Sequence, residues 1–199
     1  TLRSRGLGDV YKRQIYRYTS RFEEAEQSFK KTIELDSTFV SAYNSLGLVY
    51  DATRRYEEAE QYYKKAIAVD STFVYAYNNL GLFYKEHHRY GEAERYFKKL
   101  ITIDSTYISA YNNLGIVYKE TRRYDEAEQY YKKAIAVDST FVYAYNNLGF
   151  VYNATRRYGE AEQYYKKALT LDSTNVVSYS NLGFLYKTTL RYEESERYY

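Results

Sequence analysis

Residues Ile108 to Phe141 read ISAYNNLGIVYKETRRYDEAEQYYKKAIAVDSTF, and the same phrase returns with few changes every 34 residues. Asp36, Asp70, Asp104, Asp138 and Asp172 keep that interval, and so do Gly47, Gly81, Gly115, Gly149 and Gly183. Length alone would suggest one or two ordinary domains for 199 residues. Self-similarity in register overrides that prior, because it marks a stack of equivalent units that bury their apolar faces against one another.

Each unit carries two helical stripes. In the unit that starts at Val40, Ala42, Leu46, Val49 and Tyr50 recur at spacings of three and four, and Ala59, Tyr63, Ala66 and Ile67 do the same further on. Gly47 sits inside the first stripe, where glycine costs about 1 kcal/mol relative to alanine. Its return in every unit predicts a neighbouring helix too close for a side chain. The TRRY stretch between the stripes has neither glycine nor proline, so the break there is expected to be a short turn.

The aromatic, Leu-Gly, Tyr, Ala, aromatic, Ala order of Tyr43, Leu46, Gly47, Tyr50, Ala59, Tyr63 and Ala66 resembles the tetratricopeptide repeat. The resemblance runs from Arg21 to Tyr199. It implies an all-α fold, an alpha-alpha superhelix in which antiparallel helix pairs stack as a solenoid. The units then fall at 40–73, 74–107, 108–141 and 142–175, with the second helix of a partial repeat at 15–39 and a truncated repeat at 176–199. One departure stands out. Where the family usually has proline after the aspartate, this chain has Ser37, Ser71, Ser105, Ser139 and Ser173, and a Ser or Thr there is expected to cap the helix that follows. A second period is also visible, because Ala59 to Gly81 returns letter for letter as Ala127 to Gly149, a shift of 68.

Composition narrows the function classes. No apolar run approaches the roughly 18 residues that a membrane span needs, so no membrane partner is expected. Cysteine is absent, which removes disulfides, thiolate metal sites and cysteine nucleophiles. Methionine is absent too, which points to a chain cut from a longer reading frame. The opening TLRSRGLGDVYKRQ, residues 1–14, lacks the repeat pattern and resembles a translated sequencing adapter, with a basic arm as the alternative. Arg3, Arg5, Lys12 and Arg13 against Asp9 supply the whole formal net charge of +3. Without them the repeats are neutral, and the case for nucleic acid loses its support.

No catalytic constellation emerges. His87 and His88 are adjacent, so on a helix they point about 100° apart and cannot share one ion. The Glu57–Glu58 type of pair opens each second helix, where negative charge complements the macrodipole. Lys64, Lys98, Lys132 and Lys166 follow Glu60, Glu94, Glu128 and Glu162 by four residues, the spacing of a solvated, ion-paired helix face. Most of the thirty tyrosines occupy recurring positions and are expected in the core. No cofactor or metal is expected, and the fragment is read as non-catalytic.

With one stripe of each first helix committed to packing, the second, fifth, sixth, ninth and twelfth positions form another, expected to face the concave groove. The sixth positions are Ser45, Asn79, Asn113, Asn147 and Asn181, and the ninth are Leu48, Leu82, Ile116, Phe150 and Phe184. Tyr75 and Tyr143 alternate with Ser41 and Ser109 at the second. The charged clamp of chaperone-tail receptors in this family cannot be assembled, because the second and ninth positions carry none of its charged or amide groups. The asparagines are similar to those of O-GlcNAc transferase-type repeat arrays, which grip an extended segment by its main chain. The resemblance therefore implies a protein-protein interaction scaffold, cytoplasmic, that holds a peptide or partner protein of unknown identity. The alternative it implies is the substrate-recruiting arm of a larger enzyme, such as a glycosyltransferase. An uncapped last repeat adds the expectation of self-association through the C-terminal end.

Overall fold

The repeats at 40–73, 108–141 and 142–175 each fold as two helices whose stripes bury side by side. The computed structural model describes residues 21–191 and 194–195. The expectations for Thr1 to Gln14, and for most of the final helix of the truncated repeat, lie outside the described residues. Helix α1 spans 21–35, followed by α2 (Val40–Ala52), α3 (Tyr56–Val69) and α4 (Val74–Glu86). Next come α5 (Tyr90–Ile103), α6 (Ile108–Glu120), α7 (Tyr124–Val137), α8 (Val142–Ala154), α9 (Tyr158–Leu171) and α10 (Val176–Thr188). The chain divides into two units, one ending at Phe83 and one beginning at Tyr84. In the first, α2 packs on α3. In the second, α5 to α10 pack each on the next, and α6, α8 and α10 also meet along one side. The all-α expectation of paired helices holds in both.

The TRRY turn is closed without glycine. Arg55 N–H donates to the Tyr50 carbonyl at 2.8 Å and Arg54 N–H to that of Asp51 at 2.9 Å, the bond pair of a Schellman ending. Arg54, Arg122 and Arg156 sit at φ of 60°, 58° and 60°, a left-handed conformation that costs a non-glycine residue about 1–2 kcal/mol. The other turn departs from the sequence expectation. Among the described residues no Ser or Thr of the DST segment caps α2, α6 or α8, whose N-caps are Phe39, Tyr107 and Phe141. The aspartate holds the turn instead: Asp36 Oδ1 accepts from Thr38 N at 2.9 Å and from Thr38 Oγ1 at 2.6 Å. The following helix is tied back by a tyrosine, since Tyr43 Oη donates to the Ser37 carbonyl at 3.1 Å. The serine thus contributes its backbone carbonyl while its hydroxyl stays uninvolved in capping.

The recurring glycine is explained by an aromatic ring. A methyl on Gly115 would lie 2.5 Å from Tyr131 Cε1, and one on Gly47 would lie 2.5 Å from Tyr63 Cδ1. Gly149 meets Tyr165 in the same way, at 2.6 Å. These rings are buried to within 1%, so they cannot swing aside. In the repeat of Tyr131, Ala110, Leu114, Val117, Ala127 and Ala134 are buried as well. Tyr131 also carries a buried hydroxyl with no hydrogen-bond partner among the described residues, and burial pushes its ionisation well above the usual range. Phe97 stands at the equivalent position one repeat earlier.

A polar cluster fastens α1, α5, α7 and α9 to the repeat that follows each of them. Glu128 in α7 accepts from Tyr152 Oη at 3.0 Å, from Lys132 Nζ at 2.6 Å and from Arg157 at 2.8 Å. The Arg157 guanidinium lies over the Tyr152 ring, 4.3 Å from its centroid, and also pairs with Glu160. The same set recurs as Glu26–Lys30–Tyr50–Arg55, Glu94–Lys98–Tyr118–Arg123 and Glu162–Lys166–Tyr186–Arg191. The glutamate is therefore more than half of a solvated ion pair. Burial pushes the Glu128 carboxyl up, but the bonds from Lys132 and Tyr152 and the charges of Lys132 and Arg157 outweigh it and leave the group below its usual value. Burial and the bond to Glu128 push the Tyr152 hydroxyl up to about 12.

Two outcomes are expected. Gly115→Ala should cost about 1–3 kcal/mol by overpacking, whereas Tyr131→Phe, which deletes only the unpaired hydroxyl, should gain on the order of 1 kcal/mol; urea unfolding measures both. A carboxylate depressed in the folded state contributes stability above its unfolded value of about 4.3 and loses it as pH falls through the folded value. Acidification from neutral pH to about pH 3 should therefore weaken the array, and Glu128→Gln should flatten that loss while costing about 1–2 kcal/mol at neutral pH.

Candidate functional site

Positions two, six and nine of the first helices emerge on the side away from the glycine-tyrosine contacts. In the unit ending at Phe83, Ser45 and Asn79 are half-buried, Leu48 is 48% exposed and Tyr75 57% exposed. Leu82 is half-buried. In the second unit, Asn113, Asn147 and Asn181 are half-buried on α6, α8 and α10, next to half-buried Ile116 and to Phe150 and Phe184, exposed by 43% and 55%. Asn147 and Phe150, like Asn181 and Phe184, are three residues apart and so share a helix face. Tyr143 is 68% exposed, its ring 5.5 Å from that of Phe141. The Lys119 ammonium lies 5.0 Å from the Phe150 ring centroid.

At the fifth position the chain is mixed: Ser180 is exposed and Asn78 and Asn112 are half-buried, whereas two asparagines leave the open face. Asn44 and Asn146 are buried to 8% and 7%, because each lies against the next first helix. Asn79 Nδ2 donates to Asn44 Oδ1 at 3.1 Å, and Asn147 Nδ2 donates to Asn112 Oδ1 at 2.9 Å. Asn79 and Asn147 thus have a structural role that sequence reasoning missed: the amide nitrogen ties one first helix to the one before it. The signal was the Asn-Asn doublet itself, since two adjacent amides can face different helices. The tether fixes the Asn147 amide and leaves its carbonyl without a hydrogen bond among the described residues.

The last repeat breaks the pattern. Its N-cap is Asn175 in place of an aromatic, accepting from Ser178 N at 3.0 Å. Ser178 replaces the small core alanine, is fully buried, and donates to Asn146 Oδ1 at 2.9 Å. That bond takes the acceptor that a sixth-position amide would otherwise use. Asn181 makes no hydrogen bond among the described residues, and neither does the Asn113 side chain.

Among the described residues there is no group of three or more His, Asp or Glu arranged to hold a metal ion, and no helix long and apolar enough to cross a membrane. His88 instead bonds Tyr90 Oη through Nδ1 at 2.8 Å.

Models of the tetratricopeptide repeat match residues 14–39, 40–73, 74–140 and 142–175. No curated protein matches the sequence. Among solved structures, the chain is similar to PilF of Pseudomonas aeruginosa at 24% identity, covering 92% of this chain and 83% of that one with a TM-score of 0.76. It is similar to MamA at 29% identity, covering 79% and 92% with a TM-score of 0.70. A third is YrrB, described as a tetratricopeptide-repeat protein with an unusual peptide-binding site, at 21% identity, covering 87% and 89% with a TM-score of 0.68.

The tether can be measured alone. A double-mutant cycle of Asn112→Ala and Asn147→Ala should give a coupling of about 0.5–1.5 kcal/mol in unfolding free energy, while Asn113→Ala should change stability by less than about 0.5 kcal/mol.

Proposed function

Because the chain belongs to the tetratricopeptide-repeat family, whose arrays commonly bind peptides and proteins, we propose that the first-helix face of its second unit holds an extended peptide segment. The observation that carries this reading is the pairing of under-used amides with uncovered apolar rings. Asn147 offers a carbonyl, and Asn181 and Asn113 offer both a donor and an acceptor. Phe150 and Phe184 lie one helical turn away with about half their surface exposed. An extended main chain alternates donors and acceptors and throws successive side chains to opposite sides, so it can meet amides and rings at once. The peptide-binding site of YrrB agrees with such a use of the fold, although at that identity the likeness speaks for architecture alone. Ser45, Asn79, Leu48, Leu82 and Tyr75 stand at the equivalent positions in the first unit.

The test separates binding from tethering. Asn113→Ala with Asn181→Ala removes no intramolecular hydrogen bond, so helicity by circular dichroism should stay unchanged. Affinity for a peptide selected from a displayed library on the intact chain should fall by about 1–3 kcal/mol, or roughly 5- to 150-fold. Gln129→Ala, exposed on α7, should leave affinity as it was. Selected peptides that ignore the double change but respond to Gln129→Ala would move the site to the other side of the array.

A further inference from the structure

A cleft of about 420 Å³ is lined by Ile33, Tyr43, Tyr62, Lys65, Ala68 and Val69. A second of about 310 Å³ is lined by Ile101, Tyr111, Tyr130, Lys133, Ala136 and Val137. Each residue of one lies 68 positions from its counterpart in the other, so the clefts follow the two-repeat period of the sequence. Each is complete within its own unit. Neither uses a residue of the first-helix face described above: apart from one tyrosine at position four, the walls come from second helices.

The construction is the same in both. Tyr43 and Tyr111 form one wall and are fixed by hydroxyl bonds to the Ser37 and Ser105 carbonyls at 3.1 and 3.0 Å. Tyr62 and Tyr130 form another. The floor is aliphatic, and Val69 and Val137 are each 38% exposed there. At the rim, Lys65 Nζ sits 4.3 Å from the Tyr62 ring centroid and Lys133 Nζ 4.4 Å from that of Tyr130. The ring holds each ammonium at the cleft by cation–π attraction. Among the described residues these two lysines make no ion pair, in contrast to Lys64 and Lys132 beside them, which are paired to Glu60 and Glu128. Ala68 and Ala136 lie exposed beside these walls and present only a methyl group to the clefts.

An aromatic-walled, aliphatic-floored cleft with one uncompensated cation at its mouth fits a ligand with matching halves. The geometry points to a binding site for an aromatic carboxylate, with the ring laid against the tyrosine walls, whose centroids stand 6.4 Å apart in the first cleft, and the carboxylate on the Lys65 or Lys133 ammonium. A volume of 310–420 Å³ is at the small end for ligand pockets, suited to one ring with a short acid arm. That chemistry is shared by a free aryl acid and by a peptide chain ending in an aromatic residue. The inference is independent of the peptide reading of the first-helix face.

The test uses the whole chain with phenylpropionate as probe, followed through methyl NMR signals. Ile33 and Val69 should report the first cleft, and Ile101 and Val137 the second. Both sets should shift with phenylpropionate and stay still with phenethylamine, which swaps the anion for a cation. Lys133→Gln should weaken binding about three- to fivefold in the second cleft only. Ala136→Trp, at an exposed position, should abolish it there while the first cleft continues to report a folded, binding protein. A peptide ending in Phe as the free acid, compared with its amide, identifies the source: tighter binding of the free-acid peptide than of phenylpropionate assigns the cleft to a chain end, and weaker binding to a free aryl acid. The assignment is overturned if phenethylamine shifts the same methyls equally, if Lys133→Gln leaves the affinity unchanged, or if neither cleft responds.

Discussion

The contact between Gly115 and the Tyr131 ring, with its copies at Gly47–Tyr63 and Gly149–Tyr165, sets the distance between the two helices of a repeat. Only a residue without a side chain lets the first helix approach a buried ring so closely. Once that distance is set, the second helix has one orientation left in which Ala127, Tyr131 and Ala134 all face inward. Its opposite edge then carries Glu128 to within reach of Tyr152 and Arg157 in the following repeat. The close contact inside a repeat thus decides where the fastening between repeats can form. It also decides which residues of the first helix remain outside, since the glycine face is used up and the Asn147 and Phe150 face is turned away from it.

The helices, their pairing and the glycine contact were legible in the sequence because each depends on residues within one repeat and recurs in register. Ala42, Leu46, Val49 and Tyr50 announce their stripe by spacing alone, and they are buried. Features made between repeats were less legible. Glu128 stands 24 residues before Tyr152 and 29 before Arg157, and no local pattern names those partners, so the glutamate looked like one end of a helical ion pair with Lys132. Asn112 and Asn147 are 35 apart, one more than the repeat, and for that reason the bond joins position five to position six. The serine of the DST turn invited a capping role by residue type, but Asp138 already satisfies the turn through Thr140. The clefts left the faintest trace, because Tyr62, Lys65 and Ala68 read as an ordinary helix surface until Tyr43 and Ile33 are known to stand against them.

Repetition also shows how function can differ along a chain of near-identical parts. Asn147 and Asn181 both stand at position six, yet only Asn147 is tethered. They differ because Ser178 and Asn175 rearrange the hydrogen bonds around Asn146 in the last repeat. Small exchanges at covered positions thereby alter which amides the surface offers. The same logic applies to the two-repeat period, since the clefts at Ala68 and Ala136 are copies of one another 68 residues apart. A repeat array of this kind can hold several ligand chemistries on one scaffold, since stability is shared among neighbours and no single unit must do everything.

The central claim is that the close packing of each helix pair frees the first-helix amides of the second unit for a bound main chain. It is tested most directly by the side-chain amide NMR signals of Asn113, Asn147 and Asn181 during titration with a selected peptide. On this account the signals of Asn113 and Asn181 move on binding and become protected from solvent exchange. The Asn147 amide, already donating to Asn112, keeps its protection throughout. Saturating peptide that leaves Asn113 and Asn181 unshifted and freely exchanging would contradict it.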